Sequence, residues 1–140
     1  MHLKMAALTE MIKKIFVPKN TNLENTYLHT EASGKDVGFS NLPLLDLLSQ
    51  KKCKTMKLLS FVYGAIQVAN GKFVGAVFYG KYAHDVAALK IITEEAGGKV
   101  TDLNGEARRY DEDGLGCIVS NGVLHQEILD CVQAGKLVKD

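Results

Sequence analysis

The chain has 140 residues, 46% of them hydrophobic and 24% charged, which is the size and make-up of one folded domain and leaves no room for two independent cores. Seventeen Lys and Arg against 16 Asp and Glu leave a net charge of +1, so there is no basic excess of the kind that nucleic acid or an anionic membrane requires. No run approaches the roughly 18 apolar residues of a membrane helix. Glu10, Lys13 and Lys14 interrupt the first apolar patch before it reaches signal-peptide length, and Cys53, Cys117 and Cys131 lack the spacing of a zinc site. A cytoplasmic chain with reduced thiols is expected.

Taken in order, Leu3 to Phe16 mixes apolar and charged residues with a loose helical period, and the spacing predicts a helix ending before Pro18. Residues 1–25 carry little other pattern. Thr26 to Thr30 reads as a strand and Ala32 to Gly38 as a loop. Asn41 is placed to cap a short helix with Pro43 in its first turn, an apolar face of Leu44, Leu45, Leu47 and Leu48, and Lys51 and Lys52 at its negative end. Thr55 to Leu59 predicts a strand, and Ser60 is a good N-cap for a helix through Val68 that ends at Asn70-Gly71. The unbroken apolar run Phe73 to Tyr79 predicts a strand buried on both faces.

A helix from His84 to Ala96 follows, stopped by Gly97-Gly98. Lys99 to Leu103 reads as a strand, Asn104-Gly105 as a tight turn, and Glu106 to Tyr110 as a return strand. Cys117 to Ser120 is a further strand and Leu124 to Val132 a final helix. Strands alternating with helices of this length imply an α/β layered domain, its largely parallel mixed sheet flanked by helices.

Asp85 stands at the start of a helix just after the buried strand, at the carboxyl end of a parallel sheet, where ligands of α/β folds bind. A carboxylate there serves either as an N-cap or as a hard-metal ligand beside N–H groups that attract phosphate, and spacing leaves both open. His84-Asp85 also allows an HD-type metal phosphohydrolase, but that fold is helical and needs more His and Asp ligands than His2, His29 and His125 supply. Asp102 reads as a strand terminator or turn cap, Glu94 as solvated surface, Arg108 and Arg109 as exposed, and Cys117 as a packing residue.

His84-Asp85-Val86-Ala87-Ala88, an Ile at 91 or 92, Glu95-Ala96-Gly97-Gly98, Asp102 and Gly105 follow one another in a recognisable order. They resemble the second signature of the inositol monophosphatase superfamily, W-D-x-A-A-x-x-x-I-x-x-E-A-G-G-x-x-x-D-x-x-G. Ser60, Val68-Ala69-Asn70-Gly71-Lys72 and Val119-Ser120-Asn121-Gly122 give similar context. The likeness is strong from Ser60 to Val132 and weaker back to Thr26. It implies the C-terminal architecture of a magnesium-dependent phosphatase that hydrolyses a small phosphomonoester of the inositol phosphate or sugar phosphate class. In that reading Asp85 is the catalytic metal ligand for Mg2+, and Ser60 and His84 line the substrate pocket.

The sequence departs from the family in three places. Its two prolines follow Val17 and Leu42, so the metal-binding Asp-Pro-x-Asp-Gly-Thr of the family's first signature is absent. His84 replaces the usual Trp, and Phe78 falls where inositol-specific members place an acidic residue. The resemblance therefore implies the C-terminal half of such an enzyme, inactive alone and partnered by the missing N-terminal half or by a second copy of the chain. The alternative is a non-catalytic ligand- or partner-binding module derived from the same fold.

Overall fold

A computed structural model describes residues 15–31, 38–58, 60–80, 87–107 and 116–137. Its elements are β1 (Tyr27–Thr30), α1 (Leu42–Gln50), β2 (Lys54–Met56), α2 (Phe61–Ala69), β3 (Gly75–Phe78), α3 (Ala87–Glu95), β4 (Lys99–Thr101), β5 (Cys117–Ser120) and α4 (His125–Gln133). The strands form one sheet in the order β2-β1-β3-β5-β4. β1 runs parallel to β2 and β3, and β5 runs antiparallel to β3 and β4. Among the described residues, four of the five strands therefore point the same way and β5 is reversed. The mixed, largely parallel sheet expected from the alternating pattern is present.

Helices cover both faces. On one, Leu44 and Leu48 of α1 and Ile128, Leu129 and Val132 of α4 pack on Leu28, Val77 and Ile118. On the other, Ala65 and Val68 of α2 and Leu89 of α3 pack on Ala76, Phe78, Val100, Cys117 and Val119. Alternate residues of β3 and β5 thus serve opposite layers, as the two-residue repeat of a strand requires. All four residues of β3 and of β5 are buried, which explains why Phe73 to Tyr79 contains no charged residue. Each Leu or Ile so buried contributes roughly 1.5–3 kcal/mol relative to exposure.

Several local expectations are refined. Ser60 caps α2, its Oγ accepting the Tyr63 N–H at 3.1 Å, and Gly71 ends that helix region with φ at +83°. Asn41 occupies the N-cap position of α1, but its side chain makes no cap bond and donates instead to the Glu31 carbonyl at 2.9 Å. β2 begins one residue earlier than expected and ends at Met56. The return strand is not formed at Glu106 and Ala107, although the Glu106 carbonyl accepts the Asp102 N–H, and 108–110 lie outside the described residues. The same holds for most of the first expected helix. Its last two residues, Ile15 and Phe16, are not helical, and the Val17 N–H donates to the Ala96 carbonyl at 3.1 Å.

The glycine pair of the signature has two separate duties. Gly97 ends the α3 region in the left-handed conformation, φ +91°, which glycine adopts without strain. Gly98 is where the chain passes the Ser120 carbonyl so closely that a Cβ would collide with it. The Asp102 carboxylate accepts the N–H groups of Asn104 at 2.8 Å and Glu106 at 2.9 Å, which makes it the turn cap its neighbours imply.

Candidate functional site

The shared direction of β1, β2 and β3 brings their carboxyl ends to one edge. Three groups gather there from segments far apart in sequence: Glu31 after β1, Lys57 and Ser60 after β2, and Tyr79-Gly80 after β3. From Gly80 the chain leads toward Asp85 and resumes as α3 at Ala87. His84 and Asp85 themselves lie outside the described residues, so the structure gives the two anchors of their segment.

Glu31 is the residue of this edge that the sequence reading missed. Its carboxylate Oε2 accepts the Tyr79 N–H at 3.1 Å, and its carbonyl accepts the Asn41 side chain. The one available signal was its position, an acidic residue directly after a strand at the carboxyl end of a parallel sheet. Burial, together with the Glu31 charge, pushes the Tyr79 phenol up to about 12, so it stays protonated at neutral pH.

Ser60 is exposed at the first turn of α2. With its Oγ accepting the Tyr63 N–H, its proton and a further lone pair face solvent. A cleft of about 330 Å³ opens at the same edge, lined by Thr30, Glu31, Asn41, Leu45, Met56 and Lys57. Its size and its mix of apolar floor with one carboxylate and one ammonium suit a small polar molecule. Among the described residues no three His, Cys, Asp or Glu side chains gather to hold a metal ion. Those residues therefore do not build a metal centre unaided.

A second polar cluster is buried beneath the sheet. The Ser120 Oγ is 2.7 Å from Nδ1 of His125, and the Thr101 Oγ1 is 2.8 Å from its Nε2. Ser120 accepts the Gly122 N–H, and Thr101 donates to the Asp102 carbonyl. One proton order satisfies all four bonds: Ser120 donates to Nδ1 and Nε2–H donates to Thr101, with the ring neutral. Burial, with Lys99 nearby, lowers the His125 pKa to about 4. Ser120 and His125 are 0% and 2% exposed, so this serine–histidine pair reaches no substrate and ties α4 to β4 and β5. The three cysteines are also buried, and burial raises the thiol pKa of Cys53 and Cys131.

Known proteins share this architecture. The family model described as the inositol monophosphatase family matches residues 4–136. A fructose-1,6-bisphosphatase/inositol-1-monophosphatase of Thermotoga maritima is 30% identical over 86% of the chain, which spans 44% of that protein. A histidinol-phosphatase of Mycobacterium tuberculosis is 43% identical over 36% of the chain and 18% of its own length. Among solved structures, a calcium-bound IMPase family protein from Staphylococcus aureus superposes with a TM-score of 0.74 at 22% identity, over 90% of the chain and 48% of that protein. The chain thus spans about half the length of the longer-matching relatives.

Proposed function

The chain belongs to the inositol monophosphatase family, and we propose that it forms the carboxyl-terminal part of a Mg2+-dependent phosphatase acting on a small phosphomonoester. The observation that carries this reading is the edge itself. The chain leaves β3 at Gly80 against Phe61, next to Ser60 at the start of α2, and the Glu31 carboxylate accepts the Tyr79 N–H there. In this reading Asp85 is a Mg2+ ligand, and Ser60 and His84 contact the substrate. When bound, Mg2+ would supply charge neutralisation on the phosphate oxygens and a nucleophile at neutral pH. The chain's own groups orient the ester: the Ser60 hydroxyl is free to donate to an oxygen, and the N–H groups of the first turn of α2 favour an anion.

The ligands of the Asp-Pro-x-Asp-Gly-Thr type, absent from this sequence, would come from a second polypeptide or another segment. The 140-residue chain by itself would then turn over little or nothing. Val62 and Tyr63 of α2 and Ile91 of α3 are large apolar residues left 47%, 52% and 67% exposed, on helices whose inner faces cover the same side of the sheet. Such residues suit a covering partner, either the complementary half or a second copy. No described helix is long and apolar enough to cross a membrane, and we place the chain in the cytoplasm.

The test is phosphate release from inositol phosphate, a sugar phosphate and histidinol phosphate. It compares the chain alone with the chain co-purified with a polypeptide that carries the first signature. Mg2+-dependent turnover in the pair and none in the chain supports the reading. Robust turnover by the chain alone would show that its ligands have been misplaced, and no turnover from any well-folded pair would favour the non-catalytic module.

A further inference from the structure

The carboxyl end of β3 is held on three sides by groups that no local sequence rule requires. β1 and β3 run in register from Leu28 opposite Gly75 to Thr30 opposite Val77, and there the β1 backbone leaves the ladder. The first carbonyl after β1, that of Glu31, is taken by the Asn41 side chain at 2.9 Å. The Tyr79 N–H is met instead by the Glu31 carboxylate at 3.1 Å. On the second side, a Cβ at Gly80 would stand 3.2 Å from the Phe61 ring, so the chain passes tightly over the first turn of α2 beside Ser60. On the third, a Cβ at Gly116 would collide with the Phe78 carbonyl.

We propose that Glu31 is a positioning residue for the candidate site. Its carboxylate acts as one more rung of the β1–β3 ladder and so fixes where and in which direction the chain leaves β3 toward Asp85. The metal-related part of this inference rests on the reading of Asp85 as a ligand; the rung itself does not. A charged acceptor holds an N–H more firmly than a neutral one, and Asn41 anchors the same residue to α1. In this proposal Glu31 acts through the Tyr79 peptide.

The experiment uses the whole chain and two variants, Glu31→Gln, which keeps an acceptor oxygen, and Glu31→Ala, which does not. Two readouts are taken well below the melting temperature: hydrogen exchange of the Tyr79 amide in the chain without metal, and broadening of amide resonances by added Mn2+ in the chain paired with a polypeptide that carries the first signature. The expected result is a Tyr79 amide protected in the wild type, exchanging at least about tenfold faster in Glu31→Ala and largely restored in Glu31→Gln. Mn2+ binding near residue 85 should weaken about tenfold in Glu31→Ala, in the range seen for groups that orient metal ligands, and by less than about threefold in Glu31→Gln. Unchanged Tyr79 exchange in Glu31→Ala overturns the rung. Equal loss of Mn2+ in both variants, with Tyr79 protected in Glu31→Gln, overturns the positioning role and makes the carboxylate itself the ligand. Absence of Mn2+ broadening near residue 85 in the wild-type chain paired with that polypeptide would sink the Asp85 reading instead, while the exchange readout still decides the rung.

Discussion

Changing His125 to Gln tests whether the buried ring controls the acid stability of the fold. In the native state Nδ1 accepts from Ser120 and Nε2–H donates to Thr101, so a second ring proton would set two donors against each other across 2.7 Å. Burial and the Lys99 charge disfavour that proton as well, and the folded pKa falls from 6.5 to about 4. The sign follows directly. Between about pH 6.5 and 4 the unfolded chain binds the proton and the folded one does not, so stability is complete above 6.5 and falls as the pH drops through that window. The whole gap corresponds to roughly 3 kcal/mol, of which about 2.5 kcal/mol should be gone by pH 4.5. His29, whose pKa burial also lowers, contributes with the same sign. The variant must therefore be compared with the wild type at each pH. Urea unfolding followed by circular dichroism at pH 7.5, 6.5, 5.5 and 4.5 gives both curves. His125→Gln should be about 1–3 kcal/mol less stable at pH 7.5, because it cannot keep both buried hydroxyls paired. It should then converge on the wild type as the pH falls. Parallel curves with a constant offset would refute the reasoning, since they would mean that His125 titrates alike in both states.

Under the proposed function, Asp85→Asn in the chain paired with a polypeptide that carries the first signature should lower Mg2+-dependent turnover by orders of magnitude. Metal-free melting should barely move, because Asn and Asp rank alike as helix caps; unchanged turnover would leave Asp85 as a cap. Ser60→Ala should cost about 1 kcal/mol in urea unfolding through the lost bond to Tyr63. Ser60→Asp should keep that stability while lowering turnover, since it sets a negative charge where phosphate is expected; a Ser60→Asp enzyme of normal KM would remove Ser60 from the pocket. Gly116→Ala should destabilise the fold by about 2 kcal/mol or more, because its Cβ has no space beside the Phe78 carbonyl; a melting temperature unchanged by the substitution would contradict that packing. The three cysteines should react with a thiol reagent slowly in the native chain and quickly in urea, since all are buried and two have raised pKa values; rapid native labelling would show that the core opens easily.

Features whose causes lie within a few residues are legible in the amino-acid sequence. Ser60 three residues ahead of Tyr63, a glycine that tolerates positive φ at 71 and 97, Asp102 two and four residues before the N–H groups it caps, and the apolar core of β3 all act over one turn or one strand. Such signals also placed the second signature and hence the family. The local rule failed at Asn41, which has the right type and position for a cap. Its side chain donates instead to a carbonyl ten residues back, that of Glu31 just after β1, whose position only folding supplies.

What the tertiary structure alone decided is pairing between distant segments. Nothing in Cys117 to Ser120 distinguishes a reversed strand from a parallel one; the reversal of β5 shows only in its antiparallel pairing with β3 and β4. Glu31 and Tyr79 are 48 positions apart, and His125 and Thr101 are 24 apart. A buried polar group must find some partner, but its own sequence neighbourhood does not say which. Residue order determined the chemical family and most of the elements, though not the ends of β2 or the expected return strand. Close packing around a shared sheet edge then determined that a glutamate marked only by its place after β1 would meet the strand leading toward Asp85.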